Sequence, residues 1–355
     1  MKYALDYIQN LTPYNPPINE RHNYQGCLLD FNERTIPINQ KIKKALINFI
    51  EQEKIEAYPE YFELTQKIAD YCKVNKDQVL LANGSDQGID IVIRTFTEKK
   101  DSVIIPAPSF AMFFQLALVN DNQIHKPLYA QDLSFPLQET MALLDQKIKL
   151  LIICNPNNPT GTLVALPDLE TILKKALQKQ TIVLIDEAYF EFSQVTACSL
   201  LDKYPNLIIS RTFSKAFGLA GLRIAYLLTN PTNIKEMLKV RGPYDINILA
   251  TVGATAALAA LPEAESYANE VMQQAKPLVE NFFRQNNIYF YESQANFILF
   301  NTENPKEKQK ILAQNGFRLR LLHQPRLENT LRITVGTIKQ MKSFINMYTK
   351  LFIKE

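Results

Sequence analysis

Four cysteines and three histidines are all that this 355-residue chain offers for disulfide or metal chemistry, and their placement excludes both. Cys27, Cys72, Cys154 and Cys198 lie far apart with no CxxC pair, so they read as reduced thiols. The histidines form no HxxxH-type ligand pair, and no metal site is expected. No apolar run approaches the roughly 18 residues of a membrane span. The first ten residues lack the long apolar core of a signal peptide, which makes the cytoplasm the expected compartment. A formal charge of +3, with both signs interspersed, is too small to draw nucleic acid. There is no internal repeat and no low-complexity segment. At this length a single hydrophobic core gives way to two domains.

What is present concentrates around one lysine. The stretch Ser210-Arg-Thr-Phe-Ser-Lys215-Ala-Phe-Gly-Leu-Ala-Gly-Leu-Arg223 sets Lys215 among hydroxyls and ahead of an arginine, in an apolar, glycine-punctuated setting. A lysine that loses its proton in such surroundings becomes an amine nucleophile. Thr212, Ser214 and Arg223 suit a phosphate, since an arginine presents a fork of donors to phosphate oxygens. A lysine beside a phosphate site points to pyridoxal phosphate, which carries an aldehyde and a phosphate.

Three further motifs surround it. Ile182-Val-Leu-Ile-Asp186-Glu-Ala-Tyr189 reads as a buried parallel strand ending in an acid at its carboxyl edge, where ligands of open α/β sheets bind. There Asp186 could keep a pyridine nitrogen protonated, and Tyr189 could reach the ring's 3-oxygen. Leu150-Leu-Ile-Ile-Cys-Asn155-Pro-Asn-Asn158-Pro-Thr-Gly161 is a second buried strand emptying into a rigid turn that can hold the Asn158 amide in one orientation. Leu80-Leu-Ala-Asn-Gly84-Ser85-Asp86-Gln-Gly88 places small residues at a helix start, an anion-binding arrangement.

Along the chain, residues 1–37 are proline-rich and irregular, an arm fit to drape over a small domain or a partner. From 38 to 245, helical patterns alternate with short buried strands at 103–106, 150–154, 182–186, 207–210 and 224–228. That alternation predicts a mostly parallel sheet covered by helices. Residues 250–283 read as one long helical connector. Strands at 297–300 and 331–335, with helices either side, predict a smaller α+β domain over 246–355, with Gly242-Pro243 at the approximate hinge.

In this order the motifs resemble the fold-type I pyridoxal-phosphate aminotransferases, and most closely the histidinol-phosphate aminotransferase family. The resemblance runs from Asn10-Leu-Thr-Pro-Tyr14 to Leu331-Arg332-Ile-Thr-Val-Gly-Thr337. It implies a large cofactor-binding domain with a mostly parallel, seven-stranded sheet. It implies Lys215 as the Schiff-base lysine and proton carrier, Asp186 at the ring nitrogen, and Asn158 and Tyr189 at the 3-oxygen. Phosphate contacts would come from Ser214, Arg223 and the amides of Ser85 and Asp86, beside Gly84 and Thr212. Tyr58 matches the tyrosine that reaches the neighbouring subunit's cofactor phosphate, which implies a homodimer with shared sites. Arg332 matches the arginine that takes the substrate carboxylate, while Arg320 and Tyr14 match contacts to a substrate phosphate. The partners implied are an amino donor and a 2-oxo acid, with histidinol phosphate and 2-oxoglutarate foremost.

Two positions depart from the family. Phe110 stands where tyrosine is usual, which keeps ring stacking over the cofactor but loses a hydroxyl. In the block Asn32-Glu33-Arg34-Thr35-Ile36-Pro37, Arg34 adds a cation where the pattern is normally uncharged. Both are expected to bear on the substrate and hint at an aromatic amino-acid aminotransferase. A lyase resembling threonine-phosphate decarboxylase shares the fold, though Asn10–Tyr14 favours the aminotransferase. A non-catalytic cofactor-binding protein is disfavoured by the complete lysine, acid and arginine set.

Overall fold

Apolar side chains along Ile182–Asp186 point alternately to opposite faces of a sheet, and both faces are covered. The computed structural model describes residues 3–52 and 54–353. Its strands in chain order are β1 (Cys27–Leu29), β2 (Val79–Ala82), β3 (Ser102–Ile104), β4 (Gln123–His125), β5 (Ile148–Cys154) and β6 (Ile182–Asp186). They continue as β7 (Leu207–Thr212), β8 (Ala225–Leu228), β9 (Phe290–Tyr291), β10 (Phe297–Asn301), β11 (Phe317–Leu321) and β12 (Thr330–Thr334).

The large sheet has seven strands in the order β2-β8-β7-β6-β5-β3-β4. β8 runs antiparallel to both neighbours, and every other pair is parallel. Leu150, Ile152, Leu184 and Ile208 pack against Ile89, Val92, Phe113 and Met237 on one face. Their neighbours Leu151, Ile153, Val183, Ile185 and Ile209 pack against Leu64, Ile68, Leu169, Ile172 and Ala254 on the other. This two-residue period, apolar on both faces, is why these strands read as continuous hydrophobic runs. Cys154, Asp186 and Ser210 are register partners at the carboxyl ends of β5, β6 and β7. The candidate site lies on that row.

A second sheet of five strands runs β1-β11-β12-β10-β9, antiparallel except for β1 against β11. Helices Lys276–Gln285 and Ile338–Phe352 cover one face through Val279, Phe283, Phe344 and Tyr348. The arm read as irregular thus contributes β1, an edge strand too short to show a period.

The expected 250–283 connector is not one helix. Ile248–Ala259 and Leu261–Gln285 meet at 74°. Pro262 stands in the first turn of the second helix, where its missing N–H is harmless and its fixed φ begins a helix rather than continuing one. Ala250, Ala254, Ala257 and Ala264 pack into the large-sheet core, and Tyr267, Ala268 and Val271 into the small one. Among the described residues, no single helix is long and apolar enough to cross a membrane.

Candidate active site

A cavity of about 320 Å³ opens at the carboxyl ends of β5 to β7. Its wall includes Ser85, Asp86, Phe110, Asn158, Asp186, Tyr189, Thr212, Ser214, Lys215 and Arg223, which the sequence scatters over more than a hundred positions. Lys215 follows β7 in a tight loop, and its Nζ donates to the Phe31 carbonyl at 2.9 Å. Burial lowers the Lys215 amine to about 8, against the opposing pull of the Glu33 carboxylate. Asp186 ends β6 fully buried. Burial pushes its carboxyl up to about 7, only partly offset by the Ala188 N–H, which donates to Oδ1 at 3.2 Å. A buried carboxylate with so little support calls for a cationic N–H partner, as a protonated ring nitrogen would provide.

The other end of the cavity is built for an anion. Gly84 takes φ +80 ahead of the helix Ser85–Phe96, and a Cβ there would run into the Arg223 guanidinium. Arg223 sits at φ +57, with Nη2 3.2 Å from the Asp86 carboxylate. The Thr212 hydroxyl donates to Ser214 Oγ at 3.0 Å and accepts from the Ser214 N–H at 3.1 Å. A helix N-terminus, a guanidinium and two hydroxyls therefore converge. With the Lys215 amine and the Asp186 carboxyl at the far end, the set fits pyridoxal phosphate.

Asn158 and Tyr189 are oriented by what they accept. Asn155 exchanges hydrogen bonds with Val164, its Nδ2 to the carbonyl at 3.1 Å and its Oδ1 from the N–H at 2.7 Å. Asn157 is tied to Pro108, Ser109 and Thr160. Those two clamp the turn and leave Asn158 at the cavity wall, where Arg332 Nη1 donates to its Oδ1. Asn32 Nδ2 donates to the Tyr189 hydroxyl at 3.0 Å. Each oxygen already accepts one hydrogen bond, and the Asn158 amide and the Tyr189 O–H are available as donors.

A second cavity of about 300 Å³ shares Tyr14, Phe31, Phe110, Asn158 and Lys215 with the first and adds Arg320 and Arg332. Arg320 Nη2 donates to the Tyr14 hydroxyl at 3.2 Å, and its guanidinium lies 5.1 Å from the centre of the Phe31 ring. Arg332 Nη2 donates to the Asp30 carbonyl at 2.7 Å. Burial lowers Arg332 to about 10, and the like charge of Arg320 adds to the effect. Each arginine keeps one buried nitrogen without a partner, Nη1 of Arg320 and Nε of Arg332.

The structure thus gathers every candidate except Tyr58. Tyr58 is 73% exposed, stacks on Tyr244 at 4.2 Å and borders a separate groove beside Ile248 and Thr251. Arg34 also departs from expectation. It does not line either cavity. Its guanidinium pairs with Glu263, donates to the Ala216 carbonyl at 3.0 Å and lies 4.5 Å from the centre of the Tyr267 ring. Its charge is paired with Glu263 inside the fold and is not presented to either cavity. Sequence reasoning missed Phe31, whose carbonyl holds Lys215, and quoted Asn32 and Glu33 in their block without assigning them a contact. A backbone carbonyl carries no residue signature, and the run Asp30–Arg34 has no helical or strand period to mark it.

The description "Aminotransferase class I and II" matches residues 27–347. The histidinol-phosphate aminotransferase of Caldanaerobacter subterraneus subsp. tengcongensis is 34% identical over 325 residues, 90% of this chain and 91% of that protein. The enzyme of the same name from Limosilactobacillus fermentum is 32% identical over 347 residues, 95% of this chain and 94% of that one. Among solved structures, the Sinorhizobium meliloti histidinol-phosphate aminotransferase in complex with pyridoxal-5'-phosphate superposes with a TM-score of 0.87 at 20% identity, covering 99% of this chain and 97% of that one. The Thermus thermophilus aspartate aminotransferase with maleate gives 0.83 at 15% identity, covering 99% of this chain and all of that one, so the solved structures speak for the fold alone. By sequence the chain belongs to the class I and II aminotransferases, and among them to the histidinol-phosphate aminotransferase family, enzymes that work with pyridoxal phosphate.

Proposed function

We propose that this aminotransferase moves an amino group between histidinol phosphate and 2-oxoglutarate, a step of histidine biosynthesis. The observation that carries the reading is the pair Arg320 and Arg332, side by side in the cavity that adjoins Lys215, each with an unpartnered buried nitrogen. Histidinol phosphate has a phosphate and no carboxylate, whereas glutamate has two carboxylates. A site that alternates between them needs cations that accept either group, and a guanidinium forks onto both. Tyr14 adds a hydroxyl at Arg320.

When bound, the cofactor supplies an electron sink for the charge left on the substrate carbon as its proton departs. The chain's own residues would do the rest. Lys215 Nζ would replace the aldehyde oxygen, lost as water, until the donor's amino group displaces it, and the freed amine would then carry the proton to and from the substrate carbon. Asp186 would hold the proton on the ring nitrogen. Asn158 Nδ2 and the Tyr189 hydroxyl would donate to the 3-oxygen, and Phe110 would lie along the ring. Thr212, Ser214, Arg223, Gly84 and the amides of Ser85 and Asp86 would hold the phosphate.

Tyr58 would act in trans, in a homodimer, because in its own chain it lies exposed and away from the cavity. The four free thiols suit a reducing cytoplasm. The deciding experiment is a donor panel with 2-oxoglutarate, followed by product identification. Glutamate and a phosphorylated ketone from histidinol phosphate, with far lower kcat/KM for phosphate-free donors, is the expected result. Carbon dioxide from a phosphorylated amino acid would replace the reading with a lyase. Equal use of phosphate-free aromatic donors would replace it with an aromatic aminotransferase.

A further inference from the structure

Four residues in a row, Asp30 to Glu33, each address a different group of the site. The Asp30 carbonyl accepts from Arg332, the Phe31 carbonyl from Lys215, and Asn32 donates to Tyr189. Glu33 lines the Lys215 cavity. The next residue, Arg34, turns away from the cavity and reaches under the lysine loop instead. We propose that Arg34 is a positioning residue for Lys215, clamping the peptide after the lysine to the helix Leu261–Glu270.

The geometry of the clamp is specific. The Arg34 side chain is 1% exposed, and its Nη1 donates at 3.0 Å to the carbonyl of Ala216, itself fully buried. Nη2 pairs with Glu263 on the helix, and the guanidinium lies against the Tyr267 ring. That ring is fixed in turn, because its hydroxyl accepts from the Thr35 N–H at 3.1 Å. Gly218, at φ +76, makes room: a Cβ there would come within 2.7 Å of Arg34 Cδ. The Gly218 N–H closes the loop onto the Lys215 carbonyl at 3.0 Å. The carbonyls of Lys215 and Ala216, in two successive peptide units, are therefore both tied, one within the loop and the other to Arg34.

Removing Arg34 leaves the Ala216 carbonyl buried without its donor, which strongly favours a shift of the loop. Such a shift moves Nζ, whereas the anion end of the cavity rests on Thr212, Ser214, Arg223 and the helix at Ser85. Loss of the clamp should thus separate two properties that a general loss of folding would lower together. Cofactor retention should survive while attachment to Lys215 declines.

The test uses the full chain loaded with pyridoxal phosphate, as wild type, Arg34→Ala, Arg34→Lys and Glu263→Gln. Total bound cofactor, the fraction that brief borohydride treatment fixes to Lys215, the thermal midpoint, kcat and KM are measured for each. For Arg34→Ala the fixed fraction and kcat should fall, kcat by roughly 10- to 100-fold, with bound cofactor and KM near wild type. Arg34→Lys, with one ammonium for two acceptors, should recover part of the loss. A wild-type fixed fraction and kcat in Arg34→Ala would overturn the proposal, as would a fall in bound cofactor and thermal midpoint in step with kcat. Should Arg34→Ala fail to fold, Arg34→Lys and Glu263→Gln decide on the same split, and wild-type behaviour in both overturns the proposal. The inference rests on Lys215 as the cofactor-bearing lysine. Peptide mapping of the wild-type label separates the two, since a label elsewhere removes that assignment whatever Arg34 does.

Discussion

Arg320 and Arg332 are register partners on adjacent antiparallel strands, which sets their side chains on one face of the sheet, and both line the same cavity. Arg318, two residues along β11 from Arg320, is instead held by Asp30, with Nε 3.1 Å from Oδ2. Like charges on neighbouring strands repel, and their juxtaposition is relieved when an anion joins them.

Arg320→Ala should lower kcat/KM for histidinol phosphate far more than for a phosphate-free aromatic donor. Charge-assisted hydrogen bonds are worth about 1.5–3 kcal/mol, so selectivity should drop by roughly 10- to 150-fold. Arg332→Ala should weaken every donor and acceptor, because it also orients Asn158. Steady-state kinetics on two donors distinguishes the variants, and equal losses for both donors in Arg320→Ala would argue against a phosphate pocket.

Asp186→Asn should lower turnover by at least roughly 10²-fold, the scale of losing one preorganised electrostatic group. The same change should stabilise the cofactor-free protein. The folded Asp186 carboxyl lies at about 7, above its ordinary 3.8. A raised value of this kind favours folding below pH 3.8, and that contribution is lost as pH rises through about 7. Asparagine has no such loss, so the variant's advantage should grow across pH 4 to 7, to at most about 4 kcal/mol. Urea denaturation of both cofactor-free proteins at the two ends of that window tests the sign.

Lys215 shifts the other way. Its amine lies at about 8 rather than 10.5, so its contribution to stability is present above pH 10.5 and is lost as pH falls toward 8. In the cofactor-free protein a small acylating reagent should therefore modify Lys215 with a midpoint near pH 8. Mass spectrometry resolves it from exposed lysines, and a midpoint above 10 would remove the basis for its role as a base at neutral pH.

Mixing Tyr58→Ala chains with Lys215→Ala chains should restore part of the lost activity. If Tyr58 acts in trans, each mixed dimer carries one site with both defects and one with neither. Recovery after refolding the mixture, compared with either parent, is the measurement. A fully active monomer at assay concentration would refute the shared site.

Much of this was legible in the sequence, for reasons that differ by residue. Asp186 ends a buried strand whose apolar run is conspicuous, Asn158 lies in the rigid turn after a second, and Lys215 lies in a loop after a third. Side chains with distinctive chemistry at such places announce themselves. Phe31 did not, because it contributes a carbonyl. Asn32 did not, because it acts on Tyr189 across 157 residues of chain. Arg34 was noticed as an added cation, but its place was not legible, since sequence cannot tell whether a charge has a partner, and Glu263 lies 229 residues away.

The segment Asp30–Arg34 also implies which mutations this enzyme can absorb. Two of its links run through carbonyls, so replacing the side chains of Asp30 and Phe31 would spare those hydrogen bonds, at the cost of the Asp30–Arg318 ion pair and of the Phe31 ring beside Arg320. The count between Leu29, fixed in β1, and Arg34, fixed beneath Ala216, has no such freedom. One inserted residue would displace Lys215, Tyr189 and Arg332 from their partners together, although it would remove none of their side chains. Here length is held as tightly as the side chains of Asn32 and Arg34, and an engineer altering specificity should keep the residue count of this stretch unchanged.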